Sequence, residues 1–252
     1  MGFEHWHLVP EIVADGATQM AIDTWLLDQL ISGLAKPTLR FYRWQPSAIS
    51  LGYHQKRWPE HWRSLTWQGQ SIDLVRRPSG GRAVLHQGDL TYAVTMPLQG
   101  DRHMAYRQIC DVLITAWQTL GVSLSYGTAG SGYRHQANCF ALATTADLVT
   151  PTGYKLIGSA QLRRDRGLLQ HGSIRLRPDS ELQAHVFGPT QPSASPSPAG
   201  FPHTVSEAWL HQVMATITAA FERSLGISLT TAPLTDAELA NVTQRRHQFS
   251  VL

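Results

Sequence analysis

A glycine pair separates two strand-like segments in the stretch VRRPSGGRAVLHQGDLTYAV, which runs from Val75 to Val94. Between Leu90 and Met96, bulky apolar residues alternate with smaller ones, and this period of two indicates a strand with a buried face. Glycine has no Cβ, so Gly80 and Gly81 allow positive φ and the close approach of a ligand. The charged or titratable residues around the pair are Arg76, Arg77, Arg82 and His86.

Two interpretations of this loop remain open from its residues alone. A tight turn explains the glycines, whereas a ligand-binding loop explains the glycines together with the arginines and the histidine. The stretch has neither the GxGxxG spacing of dinucleotide-binding folds nor the GxxxxGK[ST] spacing of phosphate loops. Nucleotide binding is therefore not indicated.

Periodicity elsewhere in the chain predicts helices packed on a sheet. Apolar residues at helical spacing predict helices over 18–33, 103–121 and 204–226, with a short last helix from Thr235. Alternating or β-rich stretches predict strands within 38–55, 71–77, 82–86 and 90–97, and a hairpin within 154–176. Strands and helices do not alternate regularly, so the predicted fold class is α+β, with a largely antiparallel or mixed sheet.

The chain is expected to form a single domain over 1–252, with its core at about 16–190. A Pro/Ser-rich surface loop follows at 190–202, and C-terminal helices are predicted over 204–248.

Two of the predicted C-terminal helices begin with a sequence pattern that is typical of helix N-termini. Thr204 with Glu207, and Thr235 with Glu238, have the spacing of a capping box. We therefore predict that a helix starts at each of these threonines.

Composition argues against several classes of function. There is no run of 18 or more apolar residues, so no membrane span is expected. The first residues include acidic ones and no continuous apolar region, so no secretory signal is expected. The net charge of +3 is mild and forms no block, which argues against a nucleic-acid partner. An arginine-rich surface fits an acidic partner, a phosphate-bearing substrate or no particular partner.

The two cysteines, Cys110 and Cys139, show no metal-binding or disulfide spacing, so we expect no metal site and a reducing cytoplasm. Cys110 lies in a helical segment among apolar residues and is expected to be a small buried hydrophobe. Cys139 follows the loop-like segment GTAGSGYRHQAN and is a candidate nucleophile, which requires a nearby cation or exposed amides to lower its pKa.

Two further residues are candidates for chemistry. Lys155 begins a predicted strand in a chain that has only two other lysines. It is either a solvated strand-end lysine or, if it faces Cys139, a group that stabilises the thiolate and protonates a leaving thiol. His171, beside Gly172, is on its own most simply a strand histidine with a satisfied hydrogen bond.

Three motifs in this order resemble those of the superfamily of biotin-protein ligases, lipoate-protein ligases and lipoyl/octanoyl transferases: QMAIDTWLL, RRPSGGRAVLHQGDLTY and KLIGSAQLRRDRGLLQHGSI. The resemblance runs from about Gly16 to Leu176. Within the superfamily, Cys139–Phe140, some fifteen residues before YKLIGSAQ, is most similar to the cysteine-dependent octanoyltransferases that use octanoyl-acyl-carrier protein.

The resemblance implies a single catalytic domain that moves an octanoyl group from octanoyl-acyl-carrier protein to a lysine of a lipoyl domain. The acceptors would be the glycine-cleavage H protein or 2-oxoacid dehydrogenase subunits. It implies a thioester on Cys139 with Lys155 as acid and base, a monomer, and no cofactor, metal or membrane. The substrate-contacting residues that it implies are Arg76, Arg77, Gly80, Gly81, Arg82, Val84, His86, Gly158, Ser159, Ala160, His171 and Gly172.

The same resemblance suggests how the pocket works. The arginines and His86 would shape its mouth and meet an anionic carrier. Backbone amides near Gly158 or the Gly80–Gly81 loop would stabilise the oxyanion. The acyl tunnel is expected to be lined by Val84, Leu85, Leu156 and Ile157.

Three alternatives remain. An ATP-dependent lipoate-protein ligase would use Lys155 on an acyl-adenylate and would leave Cys139 structural. An amidotransferase between lipoyl domains would share the Cys139 and Lys155 chemistry. A degenerate binding protein would lack activity, and the joint presence of Gly80, Gly81, Cys139 and Lys155 argues against it.

Overall fold

A large mixed sheet is the framework of the computed structural model, which describes residues 4–98, 100–127, 147–188, 201–202 and 204–251. Its strands in chain order are β1 (His5–Ala14), β2 (Thr38–Trp44), β3 (Ala48–Leu51), β4 (Thr66–Trp67), β5 (Gln70–Ser71), β6 (Asp73–Arg76), β7 (Val84–His86), β8 (Asp89–Pro97), β9 (Ser125–Tyr126), β10 (Asp147–Val149), β11 (Lys155–Arg164), β12 (Gly167–Arg175) and β13 (Ser228–Thr231). Its helices are α1 (Gly16–Ile31), α2 (Arg102–Thr119), α3 (Ser180–Phe187), α4 (Glu207–Leu225) and α5 (Asp236–Arg245).

Over these residues the main sheet has eight strands in the order β13-β1-β2-β8-β12-β11-β10-β9. The β13–β1 and β1–β2 pairs are parallel, and the remaining pairs are antiparallel. A second sheet of order β6-β3-β7 carries the segments on either side of the glycine pair. The prediction of an α+β fold with a mixed sheet is confirmed.

Helices cover both faces of the main sheet because successive side chains of a strand point to opposite sides. On β8, Tyr92 and Val94 belong to a core shared with α2 and α4, whereas Ala93 between them belongs to the core of α1. A third core joins the smaller sheet to α3. No helix of the described chain is both long enough and apolar enough to cross a bilayer.

The C-terminal region differs from its prediction in two ways. The α4 helix is capped by Ser206, whose hydroxyl accepts from the Trp209 amide, so the capping box predicted at Thr204 is wrong. This region also contributes a strand, β13, to the edge of the main sheet, whereas helices alone were predicted. The capping box at Thr235 and Glu238 is confirmed.

The predicted hairpin is present as β11 and β12, joined by a turn at Asp165–Arg166. Its register sets Ser159 opposite Gly172 and Ala160 opposite His171. Because this hairpin lies between β8 and β10 in the main sheet, its residues are held from both sides. Cys139 and most of the Pro/Ser-rich segment lie outside the described residues.

Candidate active site

A cavity of about 1070 Å³ lies between α1, the loops after β3 and β6, the start of α2 and the β11–β12 hairpin. This volume is at the upper end of what small-molecule pockets usually have. Ten of the twelve predicted contact residues line it: Arg77, Gly80, Gly81, Val84, His86, Gly158, Ser159, Ala160, His171 and Gly172.

Several other expected residues are not part of the cavity lining. Arg76 and Arg82 do not line the cavity, nor does Lys155, whose partner Asp147 does. Of the four residues that were predicted to line the acyl tunnel, only Val84 lines the cavity. The others pack into the cores on either side: Leu85, Leu156 and Ile157.

The Gly80–Gly81 loop is held by the guanidinium of Arg77. This side chain is buried and donates to the backbone carbonyls of Ser50 at 2.7 Å, Gly80 at 2.8 Å and Arg82 at 2.6 Å. Buried carbonyls need donors, and the planar fork of arginine supplies several at once. The guanidinium of Arg77 thus fixes the shape of the loop.

The two glycines of the pair have different roles. Gly81 has φ +98°, a region in which a side chain would be strained. Its carbonyl oxygen would lie 1.9 Å from a Cβ on Gly52, so the backbone after β3 and the loop touch directly. A Cβ on Gly80 would meet nothing within 4 Å, so this glycine leaves open space on the cavity wall.

The guanidinium of Arg76 is also turned to backbone. Its Nη1 donates to the carbonyls of Gly52 at 3.0 Å and Gln55 at 2.8 Å, and the guanidinium lies 5.3 Å from the ring centre of Trp58. Arg76 therefore ties down the segment that Gly52 begins.

His171 forms a buried chain of hydrogen bonds with a serine and an aspartate. Its Nε2 lies 2.5 Å from the hydroxyl of Ser79, and its Nδ1 lies 2.8 Å from Oδ2 of Asp23. A carboxylate can only accept, so Nδ1 donates to Asp23, and Nε2 shares the second hydrogen bond with the serine hydroxyl. This chain links α1, the glycine loop and β12.

His86 forms a second chain of the same kind. Its Nε2 lies 2.8 Å from the Ser50 hydroxyl, and its Nδ1 lies 2.8 Å from Oδ2 of Asp89. Its ring stacks on Trp44 at a centroid distance of 3.8 Å. Burial lowers the pKa of His86 below its ordinary value, although the neighbouring Asp89 acts in the opposite direction. This imidazole is neutral at neutral pH.

A buried ion pair stands at one end of the cavity. The ammonium nitrogen of Lys155 lies 2.9 Å from Oδ2 of Asp147, and both side chains are buried. The alternative of a solvated strand-end lysine is therefore wrong. Because Asp147 is paired with Gly158 across the β10–β11 ladder, the ion pair stands beside the first cavity-lining residue of β11.

Hydroxyl and amide groups meet at the middle of β11. The hydroxyls of Tyr92 and Ser159 lie 2.8 Å apart, and the Gln170 amide donates to the Tyr92 hydroxyl at 2.9 Å. Cys110 lies next to this group, and burial raises the pKa of its thiol to about 12. The prediction that Cys110 is a buried hydrophobe is confirmed.

One cluster outside the cavity has metal-ligand types. Glu11, Glu207 and His211 bring their ligand atoms within 4.8 Å of one another. However, Arg43 donates to both carboxylates, at 2.7 Å to Glu11 and 2.8 Å to Glu207. The guanidinium of Arg43 already engages both carboxylates and offsets one of their two negative charges.

The serines and carboxylates of the two histidine chains were missed by sequence reasoning. Asp23 was within a quoted motif, QMAIDTWLL, but nothing in its spacing indicates a partner 148 residues away. Ser79 was within the glycine loop, and Asp89 follows it, again without a local pattern. Asp147 carries no signal either, because its partner is set by the β10–β11 register.

Comparison with known proteins shows which family the sequence resembles. A family model described as the lipoyl protein ligase A/B catalytic domain matches residues 15–221. The octanoyltransferase LipM of Carboxydothermus hydrogenoformans is 37% identical over 189 residues, which cover 73% of this chain and 70% of the relative. The octanoyltransferase LipM of Halalkalibacterium halodurans is 32% identical over 262 residues and covers 96% of this chain and 94% of its own.

Solved structures share the fold. A lipoate-protein ligase A bound with ATP superposes with a TM-score of 0.74 at 20% identity, covering 98% of this chain and 95% of that one. Protein Ta0514 of T. acidophilum with bound lipoic acid gives a TM-score of 0.73 at 19% identity over 97% and 95% of the two chains. At such identities the likeness concerns the fold.

Proposed function

The chain belongs to the lipoyl protein ligase A/B catalytic-domain family, and from this membership we propose that it moves an octanoyl group from octanoyl-acyl-carrier protein to a lysine of a lipoyl-domain protein. Because its relatives are octanoyltransferases, the chain is an acyltransferase of lipoate biosynthesis. We propose octanoyl-acyl-carrier protein as the donor, a lipoyl-domain protein as the acceptor and a thioester on Cys139 as the covalent intermediate.

One observation supports it most: a single cavity joins apolar walls to the buried Lys155–Asp147 ion pair. The wall formed by Met20, Trp44 and Leu162 suits a hydrocarbon chain. At about 0.8 kcal/mol per buried methylene, seven carbons beyond the carbonyl give roughly 5 kcal/mol of gross binding. That is enough to prefer octanoyl over short acyl groups.

The first half-reaction exchanges one thioester for another. The Cys139 thiolate attacks the octanoyl carbonyl on the phosphopantetheine arm, a C–S bond to the enzyme forms, and the C–S bond to the arm breaks. The departing thiolate takes a proton from the Lys155 ammonium. The exchange is nearly isoenergetic, so it needs no ATP and no cofactor.

The second half-reaction makes an amide. The ε-amine of the acceptor lysine attacks the Cys139 thioester, a C–N bond forms, and the C–S bond breaks to restore the thiolate. Lys155, left neutral by the first step, takes the proton that the amine loses. Backbone amides near Gly158 or the Gly80–Gly81 loop are the proposed oxyanion donors, each worth about 2.7–4 kcal/mol in comparable sites.

The remaining assignments belong to the same proposal. The acceptor is the glycine-cleavage H protein or a 2-oxoacid dehydrogenase subunit, the enzyme is a single catalytic domain that acts as a monomer, and it works in the cytoplasm without metal.

The test is intact-protein mass spectrometry after incubation with octanoyl-acyl-carrier protein in the absence of ATP. Wild type should gain the mass of one octanoyl group, and hydroxylamine should remove it. Cys139→Ser should gain none, whereas the matched Cys110→Ser variant should behave like wild type. Adducts on both cysteine variants would overturn the assignment of Cys139.

Two further arms separate the alternatives. Octanoyl transfer that needs free octanoate and ATP, with no adduct from the carrier, would make the chain a ligase. An adduct obtained from octanoylated H protein, but not from the carrier, would make it an amidotransferase.

A further inference from the structure

The exposed part of the cavity wall defines its mouth. Most lining residues are buried or half-buried, but five are exposed, and they come from two places. One is the pair of touching loops after β3 and β6, and the other is the first two turns of α2. These five residues are Tyr53, His54, Gly81, His103 and Arg107. Among the described residues, the cavity therefore opens to solvent between these loops and α2.

The α2 side of this mouth carries a histidine and an arginine. His103 and Arg107 lie one helical turn apart, so they share a face of the helix. The Arg107 guanidinium lies 5.2 Å from the ring centre of Tyr126, and no carboxylate of the described residues forms an ion pair with it. Arg163, also on the cavity wall, donates to the Gly100 carbonyl just before α2. We call His103, Arg107 and Arg163 the mouth cluster.

The charges on the cavity wall are unequal. Among the described lining residues, four arginines face one aspartate. That aspartate, Asp147, is paired with Lys155, and Arg164 is paired with Asp28. Arg77 is committed to backbone carbonyls. Among the described residues of the cavity wall, the mouth cluster therefore holds the positive charge that is available to an incoming ligand.

This location revises what the sequence suggested. The arginines of the glycine loop were expected to meet an anionic carrier, but the guanidiniums of Arg76 and Arg77 donate to backbone carbonyls. The exposed residues of the described cavity wall include Arg107 and His103 of α2, which an arriving anion can reach.

We propose that the mouth cluster binds the phosphate of the donor's phosphopantetheine arm, an inference that rests on the proposed function. The acyl chain and the amide-containing part of the arm are uncharged, so the phosphodiester is the one group of the arm that needs a cation. Guanidinium groups form charge-assisted hydrogen bonds to phosphate oxygens, and an imidazole N–H can donate a further hydrogen bond.

The path from the mouth cluster to the reaction centre is continuous. Tyr126, beneath the Arg107 guanidinium, belongs to β9, and β9 pairs with β10. The β10 strand begins at Asp147, the partner of Lys155. Tyr126, Gly127 and Asp147 all line the cavity. When the phosphate binds at α2, the rest of the arm therefore extends along this wall, and its thioester points toward Lys155.

The experiment compares three octanoyl thioester donors: the acyl-carrier protein, free 4′-phosphopantetheine and pantetheine, which lacks the phosphate. Steady-state kinetics are measured for wild type, Arg107→Ala, His103→Ala and Arg163→Ala. The control is Arg223→Ala, an exposed arginine of α4 that is not on the cavity wall and that changes the net charge equally.

Arg107→Ala should raise KM about tenfold for the two phosphate-bearing donors, the effect expected for one lost charge-assisted hydrogen bond. With the pantetheine thioester its KM should equal that of wild type, and kcat should be unchanged with every donor. Arg107→Lys should restore part of the loss. KM for the phosphate-bearing donors should also rise with salt in wild type and less steeply in Arg107→Ala.

Three outcomes would overturn the proposal. Equal losses with all three donors would mean a general structural effect. A loss with the carrier protein alone would mean that the cluster contacts the protein and not the phosphate. A loss in Arg223→Ala of the same size would mean that net charge alone is responsible. Failure of the proposed function is distinguishable, because wild type would then transfer octanoyl from none of the donors.

Discussion

The ammonium nitrogen of Lys155 lies 2.9 Å from Oδ2 of Asp147, and 4% of the Lys155 residue is exposed. Removing either charge alone leaves the other buried without its counter-ion. Such a change usually costs about 3–5 kcal/mol, whereas replacing both partners with apolar residues costs much less. The effect of this ion pair on stability can therefore be measured separately from its effect on catalysis.

We predict that Lys155→Met and Asp147→Leu each lower the free energy of unfolding by about 3–5 kcal/mol. The double variant should be more stable than either single one. Acyl-enzyme formation should nevertheless be slow in both variants that lack Lys155, because the proton donor is gone. Urea unfolding and single-turnover acylation measure the two effects. Additive losses of stability would contradict the ion-pair account.

Three glycines of the loop region should respond to substitution in different ways. Gly52→Ala places a Cβ 1.9 Å from the Gly81 carbonyl, and Gly81→Ala forces a side chain into φ +98° beside the Arg77 guanidinium. The second change should cost about 1–3 kcal/mol of unfolding free energy, and the first at least as much. Gly80→Ala should leave stability within about 0.5 kcal/mol of wild type.

Gly80 also allows a test of the cavity that does not disturb folding. Gly80→Val should fold normally and yet lose most acyl transfer, because its side chain enters open space on the cavity wall. Thermal melting and octanoyl transfer are measured on the same preparation. Wild-type transfer in Gly80→Val would show that the acyl chain lies elsewhere.

The thiol of Cys110 should not react in the folded protein. Burial raises its pKa to about 12, so the thiolate that reacts with alkylating agents is nearly absent at neutral pH. In Cys139→Ser, iodoacetamide should label Cys110 only after guanidinium is added. Rapid labelling of this variant in native buffer would contradict the burial of Cys110.

The stability of the protein should fall below about pH 6.5 in part because of His86. Burial lowers the pKa of this imidazole in the folded state, so below the ordinary histidine pKa the unfolded chain binds a proton that the folded chain does not. The contribution of His86 to the free energy of unfolding is complete above pH 6.5. It falls by up to about 1.4 kcal/mol for each pH unit below that value. His86→Gln should show a shallower slope in urea unfolding between pH 6.5 and 5. Equal slopes would contradict this.

Local patterns in the sequence were sufficient to predict most of the framework. The period of two from Leu90 to Met96 and the hairpin over 154–176 became β8 and the β11–β12 pair. The β13 strand was missed because Ser228–Thr231 is short, lies largely at the surface and takes its structure from pairing with β1. Ser206 caps α4 where Thr204 was predicted, because either hydroxyl can cap a helix and the spacing to Glu207 does not distinguish them.

The site residues that belong to recognisable sequence motifs were predicted from the sequence. The glycine pair, His86, His171 and Gly158 were identified and do line one cavity. The orientation of the loop arginines was not, because nothing local tells whether a guanidinium meets a partner or a buried carbonyl. Asp147 was missed for a similar reason, since the β10–β11 ladder brings it to Lys155.

The hydrogen-bond chain through His171 has a consequence for the order in which the protein folds. Asp23 and Ser79 are 148 and 92 residues from His171 along the chain. Contacts between such distant residues form late, because the entropy of closing long loops opposes them until other structure is in place. The glycine loop can take its final shape only after α1 and β12 have docked. During refolding, the cavity should be among the last parts to mature, and enzymatic activity should return after most of the tryptophans are buried.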